Sequence, residues 1–288
     1  MNLDFNQHIL LFECCQLTRG FNRTLLIDFQ RGQMEFLDNN IYDILTLENR
    51  TKTIGEILIK YNDKTREIVL EYFTFLVQNE YAFLCDHDEV DYFPNLSLNW
   101  DHPSIISNCI IDMEKDLGSI VHYKTLVSDL DSLGCENIEI RNFSGLSMSF
   151  LNSFLLIFEG STIFRIELTL KLNDNIENYI KLLKKYPRIN ELILHSANEN
   201  SVIPTNTTQN LILTTQMISS HNCCGVIAPK YFNLNINHYL ESNNYNSCLN
   251  RKISVDSSGN IKNCPSMKNS FGLISNTRIT DVINNENF

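Results

Sequence analysis

Two cysteines, Cys248 and Cys264, flank the run "CLNRKISVDSSGNIKNCPS" near the end of the chain. The spacing C-x10-G-x4-C sets "ISVD" and "NIKNC" as two strands around the turn "SSGN". Thiolates are soft, charge-donating ligands, and a hairpin fixes two of them on one side of a metal centre. Cys223 and Cys224, in "HNCCG", are the other two candidates. Adjacent residues on an extended chain point to opposite sides, so at most one of these is expected on a given ion. A three-cysteine site completed by His221 or by solvent stays open, and four thiolates would equally hold a tetrahedral zinc.

The elements that must position these groups fall in three sections. Residues 1–95 read as strands "HILLFECC", "NRTLLIDFQ" and "GQMEFLD", the last two joined by the turn signal "RG". Three helices follow, "NNIYDILTLEN", "TIGEILIKYN" and "DKTREIVLEYFTFLVQNE", the last with Ile68, Val69, Tyr72, Phe73 and Leu76 inward, and then a strand "YAFLCD". This pattern predicts a small winged-helix-like domain. The stretch "HDEVDYFPNLSLNWDHP", acidic with two prolines, reads as a linker.

From 104 to 220 strands and helices alternate at roughly 25 to 30 residues per unit, the pattern of parallel βα units. "SIISNCIIDM", "ENIEIRNF", "IFRIELTLKL", "INELILHS" and "QNLILTTQMI" are the strands, with an Asn/Thr-rich loop before the last. Four or five strands predict an open or partial barrel. Residues 221–288 are rich in Asn and Ser and hold four of the nine cysteines. The other five, Cys14, Cys15, Cys85, Cys109 and Cys135, lie on or beside apolar strands and are expected in the core. His195, at the end of a predicted strand, is expected to be structural, and "KLLKK" a solvated helix face.

With 23 basic against 34 acidic residues, a net charge of −11, neither nucleic acid nor an anionic membrane is the expected partner. A basic peptide or a neutral protein surface fits better. No Gly-rich phosphate loop appears. The N-terminus has no basic stretch before an apolar core, and no apolar run approaches the ~20 residues that span a bilayer. These features predict a cytoplasmic protein with reduced cysteines.

The hairpin and its flanks, "NSCLNRKISVDSSGNIKNCPSM…SFG", resemble the SPASM domain of peptide maturases from grasp-with-spasm systems. "HNCCG" resembles the same family's pattern upstream of the hairpin. The resemblance implies a 4Fe-4S cluster, a ribosomally made precursor peptide and an ATP-grasp ligase as partner. The order of elements in 1–95 is similar to a PqqD-like domain, which implies binding of the precursor leader beside "GQMEFLD" and the helix "REIVLEYFTFLV". By this resemblance the chain is α/β, with a PqqD-like domain at 1–95, a partial radical SAM-type βα barrel at 104–220 and a SPASM-like module at 221–288.

Two departures qualify what the family implies. The loop after the first strand of the middle section reads "MEKDLGSI", without the C-x3-C-x2-C of a radical SAM centre, so no SAM is expected. No cysteine follows Cys264, so the module looks truncated and one cluster is the most it is expected to hold. The leading expectation is an adaptor that presents the precursor to the ligase. A SAM-independent iron-sulfur redox enzyme acting on the peptide and a non-catalytic βα-repeat interaction protein are the alternatives.

Overall fold

The computed structural model describes residues 3–114, 120–205, 209–221, 234–286 and 288. The chain divides into two compact units, 1–100 with 229–244, and 101–228 with 245–288.

In the first unit, "HILLFECC" is not one strand. β1 (His8–Leu11) ends at a turn in which the Cys15 N–H donates to the Phe12 carbonyl, and β2 (Cys15–Arg19) starts there. β2, β3 (Thr24–Asp28) and β4 (Gln33–Leu37) make an antiparallel sheet in that order. Between β3 and β4 the buried Asp28 carboxylate accepts from the Gln30 and Arg31 amides and from Arg31 Nε at 2.5 Å. Gly32 then takes φ +66°, where a side chain would be strained, which explains the "RG" signal.

Three capped helices follow. Asp38 caps α1 (Asn39–Asp43), which runs on into a π-helical turn over Ile44–Glu48. Thr53 and Glu56 form a capping box on α2 (Ile54–Leu58), and Asn62 caps α3 (Asp63–Gln78). Val69, Phe73 and Leu76 of α3 pack with Leu26, Leu37 and Ile57, whereas Ile68, expected inside, is exposed. β5 (Ala82–Cys85) pairs antiparallel with β1. The expected linker begins as structure: Asp86 and Glu89 cap a 3-10 turn over His87–Tyr92, and Arg50 donates to the Val90 and Phe93 carbonyls at 2.7 and 2.6 Å.

In the second unit the expected alternation is present. β6 (Asn108–Met113), α4 (Ile120–Ser132), β7 (Asn137–Asn142), α5 (Met148–Leu155), β8 (Arg165–Lys171), α6 (Ile176–Lys185) and β9 (Ile189–His195) follow one another. The Asn/Thr-rich loop contains a strand, β10 (Ser201–Pro204), which pairs antiparallel with β11 (Asn210–Leu213). β11 in turn lies parallel to β9. Each parallel strand from β6 to β11 adds on the same side of its predecessor, the order that successive βα units give in a barrel rather than in a doubly wound sheet.

A short helix, α7 (Ile236–Asn244), belongs to the first unit, where Tyr239 packs on Phe29 with ring centroids 5.1 Å apart. The chain then returns to the sheet. β12 (Lys252–Val255) lies parallel to β6, and β13 (Ile261–Lys262) pairs back on β12, so the cysteine hairpin forms an edge of the same sheet. Among the described residues the sheet has eight strands, because the strands expected in 104–220 are joined by β10 and by the two hairpin strands expected in a separate module. α8 (Ile279–Val282) packs Ile279 and Val282 into this core. The result is a mixed α/β protein with a large, mostly parallel sheet.

Candidate functional site

Both edges of the β2-β3-β4 sheet lack a further strand among the described residues. Their hydrogen-bond phase follows from two bonds: Gly20 N–H donates to the Arg23 carbonyl, and Phe29 N–H to that of Cys14. With the β2–β3 register, the pairs Gln16–Ile27 and Thr18–Leu25 exchange backbone bonds. The next phase on β3 bonds Thr24, Leu26 and Asp28 to Leu37, Glu35 and Gln33. Met34 and Phe36 therefore turn both N–H and C=O to the open edge of β4. Their side chains are 42% and 66% exposed, beside Leu25 and Ile27 on the outer face of the sheet.

This edge connects to α3 through a short relay. Tyr81 donates to Gln33 Oε1 at 3.3 Å, and its ring lies 5.9 Å from that of Phe75 on α3. Along α3, Glu67, Leu70, Glu71, Thr74 and Phe75 line an open depression of about 490 Å³. An edge strand with apolar side chains, near an acidic and apolar helix face, can hold an extended peptide of neutral or basic character.

In the second unit, polar groups gather on one face of the parallel sheet. Glu139, Glu167 and Glu191 sit side by side on β7, β8 and β9, and one pleat further toward the strand ends lie Asp112, Arg141 and Thr169. Burial raises the pKa of Glu139; Arg141 opposes the shift and Glu167 adds to it. Burial, with Glu167 beside it, raises Glu191 in the same direction. His195 closes β9, where burial lowers its pKa. Its Nε2 lies 3.1 Å from the Asn142 carbonyl, which can only accept, so Nε2 carries the proton and Nδ1 accepts from the Ser196 hydroxyl at 3.0 Å. Both ring nitrogens are thus engaged, and Nε2 ties the end of β9 to the end of β7.

The cysteine hairpin is well braced. The Asp256 carboxylate accepts from the Ser258 and Asn260 amides and pairs with Lys262 at 2.8 Å, while Gly259 takes φ +83°. Burial works to raise the Asp256 pKa, but these bonds outweigh it and the net shift is downward. Cys248 is exposed before β12, its N–H donating to Asn246 Oδ1, and Cys264 is half-buried after β13. Cys223 and Cys224 lie outside the described residues. The described part of the candidate metal site thus offers two thiols, short of the four ligands that a cluster or tetrahedral zinc takes.

A different group was missed in the sequence because only the pairing of β2 with β3 brings Asp28 opposite the adjacent cysteines. Cys14, Cys15 and Asp28 bring their ligand atoms within 4.8 Å of one another. The Cys14 and Cys15 sulfurs are 3.9 Å apart, and burial, followed by the nearby Cys14 and Asp28, pushes the Cys15 thiol up. Asp28 already accepts from Arg31, so an ion there would have to displace a guanidinium. Cys85, Cys109 and Cys135 are buried as expected, while Cys14 is half-buried.

Among the described residues no helix is long and apolar enough to cross a membrane. No protein-family model matches the chain. No curated protein matches it either. Similar solved structures include Streptococcus suis SuiB, 12% identical, over 96% of this chain and 88% of that one, with a TM-score of 0.39. SuiB bound to precursor peptide SuiA is 9% identical, over 96% and 89% of the two chains, with a TM-score of 0.27. The heterocyclase TruD is 12% identical over 52% and 23%, with a TM-score of 0.22.

Proposed function

We propose that this chain takes part in the maturation of a ribosomally synthesised peptide by binding the precursor leader and presenting it to an ATP-grasp ligase in the cytoplasm. The reading rests on the open edge of β4, where Met34 and Phe36 offer unpaired backbone groups and exposed apolar side chains, with the acidic and apolar face of α3 in the same unit. A leader would add as a strand along this edge. In the second unit the partial βα barrel would serve as scaffold, and Cys248 and Cys264, with Cys223 or Cys224, would hold a 4Fe-4S cluster or zinc.

The test is reconstitution with an ATP-grasp ligase and a short precursor peptide. Leader binding, followed by fluorescence anisotropy, should be lost in Phe36→Lys, and ligation should slow when this protein is omitted. Equal ligation without the protein would overturn the reading. A mass change in the precursor with this protein and a reductant alone would instead favour a redox enzyme.

A further inference from the structure

The opposite edge of the same sheet, β2, faces a cavity of about 460 Å³ contained within the first unit. Its floor is the full length of β2, from Cys15 to Arg19. One wall is a single face of the α1 and π-helical stretch, Tyr42, Leu45, Thr46, Asn49 and Arg50. The segment 94–98 and α7, through Tyr239 and Asn243, close the other sides. This volume lies within the ~300–1,000 Å³ range of small-ligand sites.

Two features of the lining specify an occupant. The first is the backbone: the bonding phase that pairs Gln16 and Thr18 with β3 turns the N–H and C=O of Leu17 and Arg19 toward the cavity. No backbone partner for them exists among the described strands. Such groups are costly to leave unpaired when shielded from water, and an extended chain satisfies them in register.

The second feature is charge. In a chain of net charge −11, the lining carries two arginines against one carboxylate, Glu13. Arg50 donates to the Val90 and Phe93 carbonyls and to Asn95 Oδ1, all neutral, and forms no ion pair among the described residues. Arg19 pairs with Asp43 at 2.8 Å, a pair open to solvent, and stands 5.6 Å over the Tyr42 ring. The α3 depression near β4 presents Glu67 and Glu71 instead.

We infer that this cavity is a second peptide site, which takes a short extended segment bearing carboxylates and holds it as a strand along β2. The two edges of one sheet would then select segments of opposite charge. This site stands apart from the leader reading, since it uses other residues on the other edge.

The experiment is amide hydrogen exchange by NMR on the full chain, with an acetylated, amidated Val-Glu-Val-Glu-Val pentapeptide at millimolar concentration. The Leu17 and Arg19 amides should exchange at least about tenfold more slowly with the peptide present, and the Met34 and Phe36 amides should be unchanged. A version N-methylated at alternate residues should give no protection, and a Val-Lys-Val-Lys-Val version much less. Arg19→Gln, at a half-exposed ion pair, should weaken the acidic peptide, and Arg50→Gln should weaken it further. Absence of slowing at Leu17 and Arg19, equal protection by the lysine or N-methylated peptide, or protection at Met34 and Phe36 alone would overturn the inference. Protection confined to β2 leaves the leader reading to its own test, so the two can fail separately.

Discussion

Arg141 grips Asp112 across two neighbouring parallel strands, Nε on Oδ1 at 2.7 Å and Nη2 on Oδ2 at 3.0 Å, with both side chains almost fully buried. A pair of this kind contributes little over a well-packed apolar pair, but breaking it leaves one charge stranded. Arg141→Met alone should therefore destabilise the protein by about 3–5 kcal/mol in denaturant unfolding. Adding Asp112→Leu should recover most of that loss. If the single and double variants lose equally, the pair contributes through contacts other than its charges.

Beside this pair, Glu139 has a folded pKa raised by burial, with Glu167 adding to the shift against Arg141. A carboxylate raised above its unfolded value near 4.5 costs no stability below that value. The cost develops as pH rises through the folded pKa and is complete above it. Glu139→Gln should therefore raise the unfolding midpoint at pH 7 and leave it nearly unchanged at pH 4. A midpoint that falls at pH 7 would mean that attraction to Arg141 outweighs desolvation.

The parallel strands were legible because apolar runs of this length, alternating with amphipathic helices, have little else to form. The edges were not. β10 holds four residues, too short for periodicity to register, and it forms through pairing with a strand already in place. The hairpin around Gly259 was readable from its turn, but its attachment beside β6 depends on a contact far along the chain. Cys14, Cys15 and Asp28 meet for a similar reason, since the pairing of β2 with β3 brings Cys15 opposite Asp28. Ile68 was misplaced because α3 has apolar residues on more than one side, and period alone does not select which side faces the core.

One carboxylate ties the start of the C-terminal helix to α4. Asp129 of α4, 2% exposed, accepts from Arg278 and from the Ile279 amide that opens α8. Asp129→Ala should lower stability by about 2 kcal/mol, since hydrogen bonds to a charged group contribute roughly 1.5–3 kcal/mol. Arg278→Ala should cost less, because the Ile279 amide keeps its acceptor. Limited proteolysis should cleave near residue 278 faster in the Asp129 variant than in the Arg278 variant, and equal rates would mean that the guanidinium alone holds the segment.

The cysteines separate by environment, and labelling can read whether the hairpin binds a metal. Burial raises Cys109 well above its ordinary range and Cys135 to about 12, so neither should react with a maleimide at pH 8 until the protein unfolds. Cys248 is exposed and should react first, followed by half-buried Cys264. If the two serve as ligands, labelling of anaerobically purified protein should be slow and should accelerate after a chelator is added. About four irons and four sulfides per chain, lost together in the Cys248→Ser, Cys264→Ser double variant, would identify a cluster, whereas one zinc lost the same way would identify a tetrahedral site. Fast labelling of both before chelation, with equal metal content in the double variant, would leave the hairpin as an edge of the sheet and place the proposed function on the first unit.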